Sequence, residues 1–424
     1  MSRALGLLLG IPGFGRRGNV SYRLNDKFLT DRASGSVDNT QSEPGPGLRE
    51  VVANDGDIVI SGGMLSFTGQ TTVTYGDLVL YNTLPFGRSD GLTLEMRVRR
   101  TSATGTVYFG FFNGLGFGAG DAVHCIQING SGINLRTDPN TNGVGNAALN
   151  TWIDLKIVLQ ATGCNYYING SAVGSGVAAT TTPLYVGISG GELNVDVAYI
   201  RVSGGFGFGN LIITFDDARS DIYPAFEYAA ARGVMGTVYV ITDLTGTATY
   251  LTQTQLTAMD AAGWAMGNHT NGLTQLATLT QAQQITALSS AAITLDGWGL
   301  TRASKHVAYP NNSYNADTLA AMATTGMLTG RTVNATGAAD PAVTDPYLIP
   351  VAMGTIITAT TVLTVQNAIR AGVASGKWPI LLLHQIEDAP GGEGAWSSAN
   401  WQALIDWIVA AGVKTRTIVD YHNT

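Results

Sequence analysis

The sequence predicts two domains of different fold class, an all-β jelly-roll sandwich followed by a distorted (β/α) barrel. Its 424 residues are more than one average domain of ~100–200 residues requires. Before residue 206, short β-forming runs alternate with Gly, Asn and Asp turns, whereas after it strand-like and helix-like segments alternate. We therefore expect an N-terminal arm at 1–22, the sandwich at 23–203, a Gly-rich hinge at 204–209 and the barrel at 210–424.

In the N-terminal half, each predicted element is a short strand. Residues 92–99 alternate apolar and polar side chains, which is typical of a strand with one wet face. Residues 107–112 and 152–159 are rich in β-formers, and 165–170 is a strand that ends in an Asn-Gly turn. Alternation returns at 193–199. Many short strands at this spacing indicate a sandwich or jelly roll.

In the C-terminal half, strands and helices alternate along the chain. The strands are predicted at 211–215, 234–241, 306–309 and 380–384, and the helices at 222–230, 251–262, 281–298 and 401–411. Gly233, Gly263 and Gly412 follow three of the helices, where glycine commonly ends a helix. This alternation predicts a parallel sheet or barrel, in which functional side chains gather at the carboxyl ends of the strands.

The composition excludes several functional classes. Charged residues make up 12% of the chain and the net charge is −7, so the basic footprint of a nucleic-acid-binding protein is missing. The sequence contains no run of ~18 apolar residues, so it predicts no membrane-spanning helix. The two cysteines exclude a disulfide-stapled scaffold, and we expect two buried thiols, with a single bridge as the alternative. Residues 1–22 are expected to be a retained arm rather than a signal peptide, because no A-x-A cleavage site follows the apolar stretch.

Polar residues stand where the predicted parallel strands end. Asp216 and Asp217 follow the first strand, His269 follows a strand near 265, and His384 ends the last one. A Pro-Asn turn that contains Asn311 follows the strand at 306–309. Carboxylates, imidazoles and backbone N–H groups that converge at one edge suit metal-assisted hydrolysis. The bland alternatives are a solvated helix start for the two carboxylates and structural roles for the histidines.

These segments, 214–218, 267–270, 308–310 and 382–384, resemble the motifs of the polysaccharide deacetylases, the NodB-homology domain. The resemblance spans about 210 residues, nearly all of the C-terminal half. It implies that Asp216 is the general base and that His384 is the general acid. It also implies that Asp217 and His269 bind a divalent metal, usually zinc, and that the backbone N–H at Asn311 helps to hold the oxyanion.

The sequence departs from the family pattern at several positions, and two of them bear directly on the site. The second metal histidine is expected four residues after His269, where Leu273 stands. His306 is a possible substitute ligand, although a structural histidine is the simpler interpretation. Ala308 occupies the position at which the family frequently has arginine. Two hypotheses follow: a metal-dependent deacetylase with an altered metal shell, and a degenerate barrel that binds glycan or serves a structural role without catalysis.

The N-terminal half resembles the concanavalin-like or laminin-G-like jelly rolls, which implies sugar binding through aromatic side chains. We take Tyr166 and Tyr167, with Tyr309 in the barrel, as candidates for contacting the polysaccharide. Further aromatic candidates are Tyr108, Phe109, Phe111, Phe112 and Phe117. The alternative is that these aromatic residues are simply core.

The order of a Gly-rich arm, a jelly roll and a carbohydrate-active domain resembles phage tail, baseplate or head-decoration proteins. This resemblance implies a homo-oligomer in the virion that acts on or recognises a bacterial surface polysaccharide. It also implies that the arm docks on other virion proteins. The alternative is a free, secreted bacterial deacetylase.

Overall fold

The computed structural model describes residues 22–33, 37, 49–52, 57–69, 77–81, 91–112, 122–136, 141–160, 163–177, 184–203, 209–392 and 394–424. Most of the predicted arm and hinge, residues 1–21 and 204–208, therefore lie outside the described residues. Phe117 lies outside them as well.

Two antiparallel sheets make up the N-terminal half. The strands are β1 Tyr22–Asp26, β2 Arg49–Val52, β3 Asp57–Ser61, β4 Met64–Thr68, β5 Asp77–Tyr81, β6 Thr93–Arg100, β7 Thr106–Phe112, β8 Ala122–Asn129, β9 Gly132–Arg136, β10 Thr141–Asn146, β11 Ile153–Gln160, β12 Gly163–Ile168, β13 Ser171–Val177, β14 Tyr185–Gly191 and β15 Val195–Ser203. One sheet has the order β13-β12-β11-β6-β15-β4-β3, with β1 also paired to β15, and the other has the order β10-β9-β8-β7-β14-β5-β2.

The alternating sequence pattern explains how these sheets pack. Leu94, Met96 and Val98 of β6 are buried, and they share one apolar core with residues of the other sheet such as Phe109 and Ile126. The predicted Asn-Gly turn joins β12 to β13, with positive φ at both residues. The described residues agree with an all-β N-terminal half, whereas the jelly-roll connectivity remains a prediction. The two cysteines are buried thiols and not a disulfide, as predicted.

The C-terminal half is built on a parallel sheet. Its strands are β16 Leu211–Phe215, β17 Thr237–Val240, β18 Ala265–Asn268, β19 His306–Ala308, β20 Thr329–Arg331, β21 Ile380–Leu383 and β24 Thr415–Arg416, while β22 Gln385–Glu387 and β23 Ala395–Ser397 form a separate pair. The sheet has the order β20-β19-β18-β17-β16-β21, with β24 paired to β16. Its helices are α1 Ile222–Ala230, α2 Gln253–Ala261, α3 Gln281–Gly297, α4 Ala316–Thr324, α5 Val362–Ala374, α6 Ser398–Ala410 and α7 Ile418–His422.

Burial on both faces explains the composition of the central strands. Every residue of β16 and β21 is buried, and both strands are almost continuously apolar, as parallel strands covered on two sides require. Helices α2 and α3 start at capping boxes in which Thr252 and Thr280 accept from the backbone three residues later. Among the described helices, none is long and apolar enough to cross a membrane. This parallel half-barrel fits the predicted (β/α) barrel.

Candidate active site

Asp216 is the first polar residue after β16, and it is buried against an arginine. Its backbone N–H donates to the carbonyl of Leu383 on the adjacent β21, and only 3% of the residue is exposed. Nη2 of the fully buried Arg331 donates to its Oδ1. Burial alone would raise the pKa of the Asp216 carboxyl, but Arg331, His269 and His384 together hold it below its usual value. Asp216 is therefore an ionised carboxylate inside the barrel mouth.

Asp217 turns towards His269 on a neighbouring strand end. Oδ1 of Asp217 lies 3.5 Å from Nε2 of His269, and 23% of the Asp217 side chain remains exposed. The other ring nitrogen, Nδ1, is 2.8 Å from the carbonyl oxygen of Ala308. Because a carbonyl can only accept, this contact assigns a proton to Nδ1 and leaves Nε2 facing the carboxylate. Burial disfavours protonation of His269, yet the carboxylates of Asp216 and Asp217 outweigh it and raise the pKa of the ring.

The side chain of Asn268 holds the loop that carries His269 in place through hydrogen bonds. The side chain of Asn268 is fully buried, and its Nδ2 donates to the carbonyls of Leu288 and Ser304 at 3.0 and 3.3 Å. Its Oδ1 accepts from the backbone N–H of Thr270 at 2.8 Å, which holds Thr270 at a φ of 62°. The last residue of β18 thereby sets the position of the histidine that follows it.

The pair formed by Asp217 and His269 fits two positions of a tetrahedral metal site. Metal–ligand bonds of roughly 2.0–2.2 Å at a tetrahedral angle separate two ligand atoms by about 3.3–3.6 Å. The 3.5 Å between Oδ1 and Nε2 lies in this range. The hydrogen bond from Nδ1 to a carbonyl is also the outer contact that metal-binding histidines usually make. These two residues can therefore hold a divalent ion whose other positions are open.

A third protein ligand is absent from the described part of the chain. Leu273 stands where the family motif places the second histidine, and the residue is 52% exposed. No group of three His, Cys, Asp or Glu side chains is arranged to hold a metal among the described residues. Among the described residues, Asp217 and His269 are therefore the two side chains at this edge that are placed to share a metal ion.

His384 and Asn311 lie at the same carboxyl edge of the parallel sheet as Asp216 and His269. His384 follows β21, whose register pairs Leu383 with Phe215, so it lies beside Asp216. Its Nδ1 is buried and has no hydrogen-bond partner within the described residues. Asn311 sits in the turn after β19 with an exposed side chain and a φ of 53°. Both residues occupy the carboxyl edge of the sheet, where the sequence predicted them.

Backbone strain concentrates in the three loops of this edge. The described residues include nine non-glycine residues with positive φ, and five of them follow β16, β18 or β19. They are Asp217, Ala218, Thr270, Asn311 and Asn312. Left-handed conformations cost free energy for residues such as Ala218 and Thr270, cost less for Asp and Asn, and occur often at functional sites.

Two sequence candidates lie elsewhere. His306 begins β19, at the end of the strand opposite to the Asp216 edge; its Nδ1 is 2.9 Å from Oγ1 of Thr329 and its ring packs on that of His422. The structure therefore does not bring it to Asp217 and His269. Tyr309 is 1% exposed and donates its hydroxyl to the carbonyl of Tyr347, so it is a core residue and not a surface for sugar.

The aromatic candidates of the sandwich are mostly core as well. Tyr166 is fully buried, which corrects its assignment as a sugar contact, because a buried ring cannot stack on a pyranose. The same holds for a second group that is at most 2% exposed: Tyr108, Phe109, Phe111 and Phe112. Tyr167 points to the other face of β12 and is partly exposed. The centre of its ring lies 5.1 Å from Nζ of Lys156. Tyr167 remains a candidate.

Sequence reasoning missed Arg331. It lies on β20, a three-residue strand of sequence Thr-Gly-Arg that was not predicted. The available signal was the arginine itself, within the mostly uncharged segment 327–333 that follows a predicted strand and turn.

Comparison with known proteins finds a family match in the C-terminal half. Residues 206–330 match the sequence model of the polysaccharide deacetylase family. No curated protein matches the chain significantly. Among solved structures, the chain is similar to the Streptococcus pyogenes deacetylase PplD in complex with acetate (29% identity, 32% of this chain and 61% of that chain, TM-score 0.30). The chain thus spans less than two thirds of that relative.

Two further structures are similar over about half of the chain. One is a family 4 carbohydrate esterase from Streptomyces lividans (19% identity, 48% of this chain and 87% of that chain, TM-score 0.33). The other is a family 4 acetyl xylan esterase from Clostridium thermocellum in complex with a cobalt ion (18% identity, 50% of this chain and 91% of that chain, TM-score 0.36). Within the C-terminal half, the stretch that matches a family model is residues 206–330, and it is similar to the polysaccharide deacetylases.

Proposed function

We propose that the C-terminal domain removes acetyl groups from a polysaccharide with the help of a divalent metal, zinc being the first candidate. The observation that carries the proposal is the convergence of Asp216, Asp217, His269 and His384 at one edge of the parallel sheet. Parallel sheets place their chemistry at this edge. The family match covers the strands that supply the first three of these residues.

Each residue has a distinct task in this proposal. Arg331 donates a hydrogen bond to Oδ1 of Asp216, so Oδ2 remains available to take the proton of the attacking water. Asp217 and His269 would hold the metal, which supplies a Lewis acid that polarises the acetyl carbonyl and activates water. His384 protonates the leaving amine or alcohol, and the backbone N–H at Asn311 stabilises the developing oxyanion.

The test is acetate release by the purified full chain. An N-acetylated chitooligosaccharide and an acetylated xylan serve as substrates, because they separate N- from O-deacetylation. We expect Asp216→Asn and Asp217→Ala to lower the rate by at least about 100-fold. Asp260→Asn is the matched control, because this carboxylate is paired to Arg302 on the flank of the domain. A wild type that releases no more acetate than Asp217→Ala would refute the proposal.

Metal content gives a second, independent measurement. We expect about one zinc or other transition metal per wild-type chain after dialysis against zinc, and none in Asp217→Ala. Metal that stays bound in Asp217→Ala would contradict the assignment of Asp217 as a ligand.

The exposed Leu273 favours a second candidate function, a barrel that binds glycan without turnover. This alternative predicts saturable binding of acetylated oligosaccharide with no acetate release and no bound metal.

We further propose that the protein is a virion component that acts on or recognises a bacterial surface polysaccharide, with a free secreted bacterial deacetylase as the alternative. The support is the resemblance of its domain order to phage tail, baseplate or head-decoration proteins. This proposal predicts a homo-oligomer that binds other virion proteins through residues 1–22. A monomer whose association with particles is unaffected by deletion of the arm would contradict it.

A further inference from the structure

A cavity with basic side chains in its wall lies at the amino edge of the parallel sheet. It has a volume of about 360 Å³ and lies beside the ends of α1 and α6 and the strand β24. Thr415 of β24 pairs with Leu211, the first residue of β16, whereas Asp216 follows the last residue of that strand. The cavity is therefore separate from the candidate active site, which lies at the opposite end of the sheet.

The charge of this cavity is opposite to that of the domain around it. Residues 209–424 contain fifteen acidic and nine basic residues. Three of the nine basic residues, Arg232, Lys414 and Arg416, nevertheless line this one cavity. None of the described residues that line it is acidic. The cavity is thus a local concentration of positive charge in a negatively charged domain.

The three basic side chains differ in their partners. Arg232 donates from Nε to Oδ1 of Asp406 at 2.8 Å and from Nη1 to the carbonyl of Tyr228 at 3.2 Å. The Lys414 ammonium has no hydrogen bond or ion pair within the described part of the chain. Arg416 makes a single 3.5 Å contact, with the carbonyl of the residue before it. No carboxylate of the described structure therefore compensates the charges of Lys414 and Arg416.

The nearby helix ends do not account for these two charges. Basic side chains commonly bond the last carbonyl groups of a helix, and α1 and α6 both end beside the cavity. Arg232 makes such a bond, but within the described residues neither Lys414 nor Arg416 does. They flank the buried Thr415, and residues two apart along a strand point to the same side. Two like charges are thereby held next to each other, an arrangement that an anion would stabilise.

We propose that this cavity binds a phosphate group carried on a small carbon skeleton. A phosphomonoester carries about −1.5 to −2 charges at pH 7, which matches the two uncompensated cations, and the planar fork of an arginine suits its oxygens. The volume lies in the lower part of the range of roughly 300–1,000 Å³ for small-molecule sites, so there is room for more than an inorganic ion. Met235, Ile408 and Val413 supply an apolar wall for the carbon skeleton. The proposal does not depend on the deacetylase function.

Calorimetric titration of the full chain with glycerol phosphate, in a phosphate-free buffer, tests the proposal. We expect saturable binding of glycerol phosphate and none of glycerol. Lys414→Gln and Arg416→Gln should each raise Kd by about tenfold or more, because each removes a charge-assisted hydrogen bond. Lys377→Gln is the matched control, since this exposed lysine precedes β21 at the same edge and does not line the cavity. Absence of saturable binding by wild type, or an equal loss in Lys377→Gln, overturns the proposal.

A change in the wall of the cavity gives a test that keeps both cations. Val409 lies in the last turn of α6, is 48% exposed and lines the cavity, so its replacement leaves the core intact. Val409→Glu places a carboxylate beside Lys414 and Arg416 and should raise Kd for glycerol phosphate by about tenfold or more. Val409→Gln has the same shape without the charge and should stay within about threefold of wild type. Equal affinities of these two variants would place the ligand elsewhere.

Further ligands identify the anion and its source. Glycerate carries one carboxylate in place of the phosphate, and an affinity equal to that of glycerol phosphate would contradict the phosphate assignment. Competition by a poly(glycerol phosphate) chain would assign the site to a phosphate-containing polymer, whereas lack of competition would assign it to small phosphorylated molecules. Acetate release by Lys414→Gln and Arg416→Gln should stay within about twofold of wild type, since both residues lie far from the carboxyl edge. A wild type that releases no acetate would refute the proposed deacetylase function and leave the binding result unaffected.

Discussion

The buried His306 should make the C-terminal domain sensitive to acid. Its ring is 1% exposed, with Nδ1 2.9 Å from Oγ1 of Thr329 and the ring of His422 packed edge-on at 5.5 Å. Burial, reinforced by His422, lowers the pKa of His306 from 6.5 to about 4. Between these two values the unfolded chain binds a proton that the folded chain excludes. This group therefore removes stability as the pH falls from 6.5 towards 4.

The size of the effect follows from the two pKa values. A displacement from 6.5 to about 4 corresponds to about 3 kcal/mol when the pH has fallen below both values. Proton linkage with the same values gives a loss of about 2 kcal/mol in the free energy of unfolding between pH 7 and pH 5. His306→Asn should abolish this component, because the amide can still bond Thr329 but does not titrate.

Urea unfolding followed by tryptophan fluorescence provides the assay. Six of the seven tryptophans lie after residue 209, so the signal reports on the C-terminal half. Wild type, His306→Asn and His422→Asn are compared at pH 7 and pH 5. We expect His306→Asn to lose about 2 kcal/mol less than wild type over this range, and His422→Asn to lose slightly less than wild type. Parallel losses in wild type and His306→Asn would refute the reasoning.

Three further changes test the site and its frame. Leu273→His should raise zinc affinity by about 100-fold in a chelator competition, because a zinc-binding free energy of ~10–16 kcal/mol shared by four ligands is roughly 3 kcal/mol for each ligand. Unchanged affinity would mean that position 273 cannot reach the metal. Gly330→Ala should lower the free energy of unfolding by roughly 1–3 kcal/mol, since a Cβ there overlaps the hydroxyl of Tyr309, whereas Gly297→Ala meets nothing within 4 Å and should not destabilise. Asn311→Gly should keep kcat within about threefold, because only its backbone N–H is assigned a role and glycine suits its φ of 53°; a large loss would indicate a role for the amide.

The elements that the sequence predicts well are those whose pattern reflects burial directly. β16 and α1 lie where they were predicted, since one is a continuous apolar run and the other has helical spacing that ends before Gly233. Helix α5 was missed although Val365, Ile369 and Val373 carry a readable helical period. β20 could not be recognised, because three residues of sequence Thr-Gly-Arg become a strand only when β19 pairs with them.

The same distinction separates the site residues that the sequence predicts from the one that it does not. Asp216, Asp217, His269 and His384 were predicted because strand order alone brings the carboxyl ends of parallel strands together. Arg331 was not, because its contact with Asp216 depends on the curvature of the sheet, which no local pattern encodes.

The energetic cost of this edge bears on the choice between a catalytic and an inert barrel. A left-handed conformation costs about 1–2 kcal/mol at Ala218 and at Thr270, whereas Asp217, Asn311 and Asn312 adopt it more readily because short polar side chains can bond locally. The burial of the ion pair between Asp216 and Arg331 adds a desolvation cost. A domain with a net stability of about 5–15 kcal/mol gains nothing structural from placing this strain around two carboxylates and an imidazole. Loss of one metal ligand at the exposed Leu273 removes affinity but relieves none of that strain. This cost supports the proposal of a deacetylase with a weakened metal shell over the alternative of a purely structural barrel.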